Sequence, residues 1–124
     1  MTYLWIALGG VFGANARYLI SAWAARKWVG QFHYGTFFVN ITGSFAYGIL
    51  STLLALHYSD NRGLTLFITT GFLGAYTTFS TFSHESLDLI QKGEWPEAIK
   101  YVGGSALLGI TGALAGISLM LWIG

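Results

Sequence analysis

Four long runs of apolar residues, separated by short polar connections, make up the chain. They predict helices over residues 3–25, 35–58, 64–90 and 98–123, joined by WVGQFHY, SDNRG and QKGEWPE. A helix of about 20 apolar residues crosses the ~30 Å hydrocarbon core of a bilayer. We therefore expect an all-α protein of the lipid membrane, with four transmembrane helices forming a single domain over residues 1–124.

The third run differs from the others because its middle is a poor helix. It contains Gly71, Gly74 and the pair Thr77-Thr78. Relative to Ala, Gly costs about 1 kcal/mol in a helix and Thr roughly half of that. Non-helical backbone at membrane depth occurs only where it is buried in protein or lines a cavity. The pattern predicts two half-helices that meet in mid-membrane, with hydroxyl and aromatic side chains facing a polar interior.

The composition excludes several classes of protein. Hydrophobic residues make up 54% of the chain and charged residues 9%, whereas soluble domains carry about 25% charged residues. The net charge of +1 gives no electrostatic basis for a nucleic-acid partner. The absence of cysteine excludes disulfides, thiol catalysis and thiolate metal sites. Since the sequence also offers no nucleophile–base pair, we do not expect an enzyme.

Several polar side chains fall inside the predicted spans, where an unpartnered polar group is costly. Thr36, Asn40 and Ser44 are four residues apart and share one face of the second helix. The Asn40 amide either makes a hydrogen bond between helices or offers its two N–H donors to a small anion. Arg17 either extends to the nearer membrane surface or places a positive charge at the mouth of an anion path.

Aromatic residues in the third run also share a face. Phe79 and Phe82 are three residues apart, a spacing typical of core packing. Because the edge of an aromatic ring is electropositive, the pair could instead line a path for an anion. Tyr101 and Ser105 likewise share one face of the fourth helix.

Glycine pairs in the first and last helices indicate close packing. Gly9 with Gly13, and Gly112 with Gly116, have the spacing that lets helix backbones approach each other. They predict a tight bundle. Because four spans alone enclose little space, we also expect contacts with a second copy.

These residues resemble the CrcB/Fluc family of fluoride channels. The resemblance rests on GGVFGANARY in the first span, GTFFVN in the second and TTGFLGAYTTFSTFSHES in the third. It implies a homodimer of two antiparallel, dual-topology subunits in the cytoplasmic (inner) membrane. Each dimer would enclose two pores that export fluoride passively.

The resemblance also implies roles for individual residues. A structural sodium ion at the dimer centre would be held by the backbone carbonyls of Gly74 and Thr77. The chain departs from the family at Gly109 and Ala113, where a track of polar side chains is expected, so backbone, water or a partner subunit would have to replace them. The side chains expected along the fluoride path are Asn40, Phe79, Phe82, Ser80, Thr81, Tyr101, Ser105, Thr36 and Arg17.

Two other functions are compatible with four short spans. A proton-coupled exporter of the small multidrug-resistance type needs a central carboxylate in its first helix, but the first span has Asn15 and Arg17 and no acid. A structural or accessory membrane protein would explain the glycines. It would not explain why polar side chains converge at mid-membrane.

The positive charges are unevenly distributed over the two sides of the membrane. Arg62 lies on the side of both termini, and four charges lie on the other side: Arg26, Lys27, Lys92 and Lys100. Since cytoplasmic loops collect Lys and Arg, the bias predicts that both termini lie outside. It leaves a heterodimer with an oppositely oriented relative as an alternative to the homodimer.

Overall fold

The computed structural model describes residues 1–28 and 33–124, and the regular elements in these ranges are all helical. The predicted all-α class is confirmed. Residues 29–32, which belong to the predicted connection WVGQFHY, lie outside the described residues. In chain order the elements are α1 (Thr2–Lys27), α2 (Tyr34–His57), α3 (Arg62–Thr65), a π-helical segment (Leu66–Leu73), α4 (Gly74–Tyr76), α5 (Phe79–Gln91) and α6 (Trp95–Ile123).

Specific residues set the ends of the later helices. The Asn61 side chain accepts a hydrogen bond from the Leu64 N–H (2.9 Å) and caps α3. Pro96 stands in the first turn of α6, where its missing N–H costs no helical hydrogen bond. Between α5 and α6, Gly93 has a φ of 75°, a left-handed conformation that glycine adopts without strain. The chain can therefore turn sharply from α5 into α6.

The surfaces of α2 and α6 are apolar. Both helices are long and apolar enough to cross a membrane. Only 22% and 11% of their most apolar stretches are buried, so most of their apolar side chains face outward. Exposed apolar surface of this extent is typical of a membrane contact. The helix α1 has 26 residues, a length of about 39 Å at 1.5 Å per residue.

Close backbone contacts join the helices. The helix α1 packs along the π-helical segment and α4 and also against α2, and α2 packs along α6. A side chain at Gly9 or Gly13 would collide with the backbone at Phe67 or Phe72, and one at Gly116 would collide with the backbone of α2. These glycines therefore bring helices of the same chain together, and the surfaces they form are not free to contact a second copy.

Candidate functional site

The helical backbone of the third run stops at Thr77 and Thr78. Both residues are extended, with φ and ψ of −81° and 156° for Thr77 and of −145° and 119° for Thr78. The Thr77 N–H still donates to the Leu73 carbonyl (3.0 Å), which ends the first half of the run. The Thr78 hydroxyl accepts a hydrogen bond from the Thr81 N–H (3.2 Å) and caps α5. We call Thr77 and Thr78 the interruption.

Asn40 in α2 holds the interruption through a reciprocal pair of hydrogen bonds. Its Nδ2 donates to the Thr78 carbonyl (2.9 Å), and the Thr78 N–H donates to Asn40 Oδ1 (2.8 Å). Thr78 is buried, and a buried backbone group left unpaired would cost about 1–3 kcal/mol. The second amide N–H of Asn40 has no acceptor within the described ranges and can serve a ligand.

The same hydrogen bonds leave two carbonyls without their helical donors. In an α-helix, the N–H of residue i+4 bonds the carbonyl of residue i. The Gly74 carbonyl would therefore take the Thr78 N–H. The Thr77 carbonyl would take the Thr81 N–H. Those two N–H groups donate instead to Asn40 Oδ1 and Thr78 Oγ1, so the carbonyls can offer oxygen ligands to a hard cation.

An open groove of about 580 Å³ lies between α2, the third run and α6. Its walls are mostly apolar, and we call it the polar groove for the polar groups that it carries. Phe79 is 79% exposed, and Gly74 is exposed as well, so the groove opens on one side of the chain. It runs past the interruption. The predicted site residues on its walls are Asn40, Gly74, Thr77, Phe79, Phe82 and Ser105.

Two serine hydroxyls on the polar groove differ in their hydrogen bonding. Ser44 Oγ donates to the Asn40 carbonyl (2.9 Å). Ser105 Oγ is buried and has no partner among the residues that the structure describes; such a group calls for a ligand or a water. A Cβ at Gly109 would lie 3.6 Å from Ser44 Oγ. The Ser44 hydroxyl thus lies beside one position where α6 lacks a polar side chain.

The rings of Phe79 and Phe82 form one wall of the polar groove. Their centroids are 6.0 Å apart, and the rings are tilted by 40°. Phe82 also contacts the ring of Tyr101, at a centroid distance of 5.3 Å, and packs against the buried cluster that Tyr101 forms with Leu89 and Ala98. Phe82 is therefore held in place by its own chain, whereas Phe79 lies at the open side.

A series of polar contacts begins behind Phe82. Tyr101 is fully buried, and its hydroxyl donates to Glu85 Oε1 (3.0 Å). The other Glu85 oxygen lies 2.9 Å from His33 Nδ1, and the buried Thr36 contacts the Tyr101 phenol. Sequence reasoning missed Glu85 and His33. Glu85 could have been found from its spacing, because it follows Phe82 by three residues on one helical face.

Five predicted site residues are not on the walls of the polar groove. Thr36 and Tyr101 lie behind Phe82, and the other three are Arg17, Ser80 and Thr81. Arg17 is half-buried in α1 and makes no ion pair or hydrogen bond within residues 1–28 and 33–124. Ser80 is exposed. Thr81 is also exposed, and its hydroxyl accepts a hydrogen bond from that of Thr78 (3.0 Å). Their roles in an anion path stay predictions.

The fold and this site define an integral membrane protein with a polar groove beside an interrupted helix. Residues 4–117 match the model of a family described as CrcB-like protein, Camphor Resistance (CrcB). The chain belongs to the CrcB family. The resemblance seen in the sequence motifs is thereby confirmed.

Curated relatives match 94–100% of the chain. The chain is 44% identical over its full length to the fluoride-specific ion channel FluC of Acidobacterium capsulatum, and it covers 93% of that protein. It is 41% identical to FluC of Chloroflexus aurantiacus, over 96% of this chain and 94% of the relative. It is 44% identical to FluC of a Roseiflexus species, over 94% of each protein.

Proposed function

We propose that the chain conducts fluoride selectively and passively through the polar groove. Its relatives carry the name of fluoride-specific ion channels. The proposal rests on a set of uncharged hydrogen-bond donors on the walls of this groove. These are the second amide N–H of Asn40 and the hydroxyl of Ser105, which has no partner among the described residues. The rings of Phe79 and Phe82 lie beside them.

Neutral donors suit this ion because fluoride must both enter and leave. Fluoride is small and strongly hydrated, and a selectivity filter replaces the hydration shell with fixed dipoles. Amide and hydroxyl groups donate hydrogen bonds without a net charge, and ring edges add a weaker attraction. The binding of fluoride to these donors is then favourable enough for the ion to enter and weak enough for it to leave.

The groove does not suit a proton-coupled exporter. Such a protein needs a central carboxylate, and the residues described on the groove walls include no Asp or Glu. The sequence of α1 contains no acid either. The family membership gives that alternative no support, and the relatives are named channels rather than enzymes.

The proposal includes four membrane spans and a dimer. The helices α1, α2 and α6 would each cross once, and the third span would run from α3 through the interruption to α5. Lipid chains cannot pair with the polar groups of an open groove, so a second copy covering Gly74 and Phe79 would shield them. The family resemblance implies an antiparallel homodimer. The uneven Lys and Arg distribution keeps a heterodimer as the alternative.

A sodium ion is the proposed structural cofactor at the dimer centre. The carbonyls of Gly74 and Thr77 fit it, because their helical donors are bonded elsewhere and hard cations prefer oxygen. The described residues hold no group of three acidic or histidine side chains suited to a metal, so the backbone would supply the ligands. The ion would place a fixed positive charge between the subunits.

The proposed location is the cytoplasmic (inner) membrane. There a passive channel would let a cell lose fluoride that had entered as the neutral acid. No energy source is required, because the ion leaves down its own gradient.

Purified protein in liposomes tests the proposed function. Vesicles loaded with fluoride are expected to release it when the charge is balanced by a potassium ionophore, and vesicles loaded with chloride are expected to retain it. Release is followed with an ion-selective electrode, and protein-free vesicles give the background. Equal release of the two anions would overturn the proposal, because neutral donors in a narrow path should discriminate by hydration and size.

A further inference from the structure

Two side-chain oxygens keep the interruption of the third run open. Asn40 Oδ1 accepts the Thr78 N–H (2.8 Å), and Thr78 Oγ1 accepts the Thr81 N–H (3.2 Å). In an unbroken helix, these N–H groups would bond the carbonyls of Gly74 and Thr77. We infer that Asn40 and Thr78 are positioning residues for the sodium site, because they take up the N–H groups that would otherwise occupy its carbonyl ligands.

The local packing supports this role. Thr78 is 8% exposed, so water competes little for its N–H. Its hydroxyl is oriented by donating to Thr81 Oγ1 (3.0 Å). A Cβ at Gly43 would collide with the methyl group of Thr77. The absence of a side chain at Gly43 therefore lets α2 approach the interruption closely enough for Asn40 to reach it.

Asn40 takes part in both proposed sites. Its amide oxygen is bonded to the interruption, and its side chain lines the polar groove. A change at Asn40 should therefore alter sodium binding as well as conduction. This inference rests on the proposed function and on the proposed sodium site.

Sodium-dependent thermal unfolding of the purified protein tests the inference without measuring conduction. The melting temperature is recorded while sodium replaces N-methylglucamine at constant ionic strength, since a ligand of the folded state raises it. Asn40→Leu and Thr78→Val each remove one acceptor, and each is expected to raise the apparent Kd for sodium roughly tenfold. Thr78→Ser keeps the hydroxyl and should bind sodium as the wild type does.

Ser44→Ala is the matched groove control. It removes a hydroxyl from the groove wall and leaves the hydrogen bonds of the Thr78 and Thr81 N–H groups unchanged. Sodium affinity should therefore not change. Equal sodium affinity in the wild type, Asn40→Leu and Thr78→Val would overturn the inference. If Asn40→Leu does not fold, the comparison of Thr78→Val with Thr78→Ser decides.

A further outcome separates this inference from the proposed function. A wild-type protein whose melting temperature does not respond to sodium would overturn the sodium site and the inference together. Fluoride selectivity is measured independently in the liposome efflux assay. A protein that lacks fluoride selectivity can therefore be distinguished from one that does not bind sodium.

Discussion

Replacing Asn40 with aspartate is expected to abolish fluoride efflux from liposomes and to leave the protein folded. The carboxylate still accepts the Thr78 N–H, but it loses the amide donors and places a negative charge on the polar groove. At 4 Å and an effective dielectric constant of 20, the repulsion of a second anion amounts to about 4 kcal/mol. That corresponds to a decrease in rate of roughly a thousandfold.

Asn61→Asp is the matched control for this variant. Asn61 caps α3 and does not line the polar groove, and aspartate caps helices about as well as asparagine. Its efflux should equal that of the wild type. Normal efflux in Asn40→Asp would contradict the assignment of Asn40 to the path, and loss in both variants would show a general effect of added charge.

Replacing Phe82 with isoleucine is expected to slow fluoride efflux and to leave the fold intact. The substitution keeps an apolar side chain against Tyr101 and removes the electropositive ring edge from the groove wall. If the ring edge contributes as much as an aromatic pair does, about 0.5–1.5 kcal/mol, the rate decreases roughly 2- to 12-fold. Phe79→Ile should act in the same direction, because the two rings form one wall.

Phe45→Ile provides the control for the aromatic variants. Phe45 is in α2, is 38% exposed and lies away from the walls of the polar groove. Initial efflux rates of the three variants, normalised to the amount of protein incorporated, give the comparison. Equal slowing in Phe45→Ile would show that packing, rather than the ring edges, sets the rate.

The hydrophobic pattern predicted the long helices well because membrane length and apolar runs constrain them directly. The predicted 3–25 and 35–58 compare with Thr2–Lys27 and Tyr34–His57 in the structure. The interruption at Thr77 and Thr78 lies where glycine and threonine weaken the helix. These are local properties that a sequence carries by itself.

The contacts between residues far apart in the chain could not be predicted from the sequence, because they depend on how the helices pack and not on local patterns. Asn40 was recognised as polar and central, but its reciprocal bonding to the Thr78 backbone depends on how α2 meets the third run. The pairing of His33 with Glu85 depends likewise on the packing of α2 against α5. The π-helical form of residues Leu66–Leu73 also had no signal in the hydrophobic pattern.

Passive conduction that is selective for fluoride determines the reversal potential of the current across a planar bilayer, and this potential can be measured. With a tenfold fluoride gradient and equal chloride on both sides, we expect the current to reverse about 59 mV from zero, at the equilibrium potential of a monovalent ion. The value should not move when a pH gradient is added. A reversal potential near zero, or one that follows the pH gradient, would contradict passive and fluoride-selective conduction.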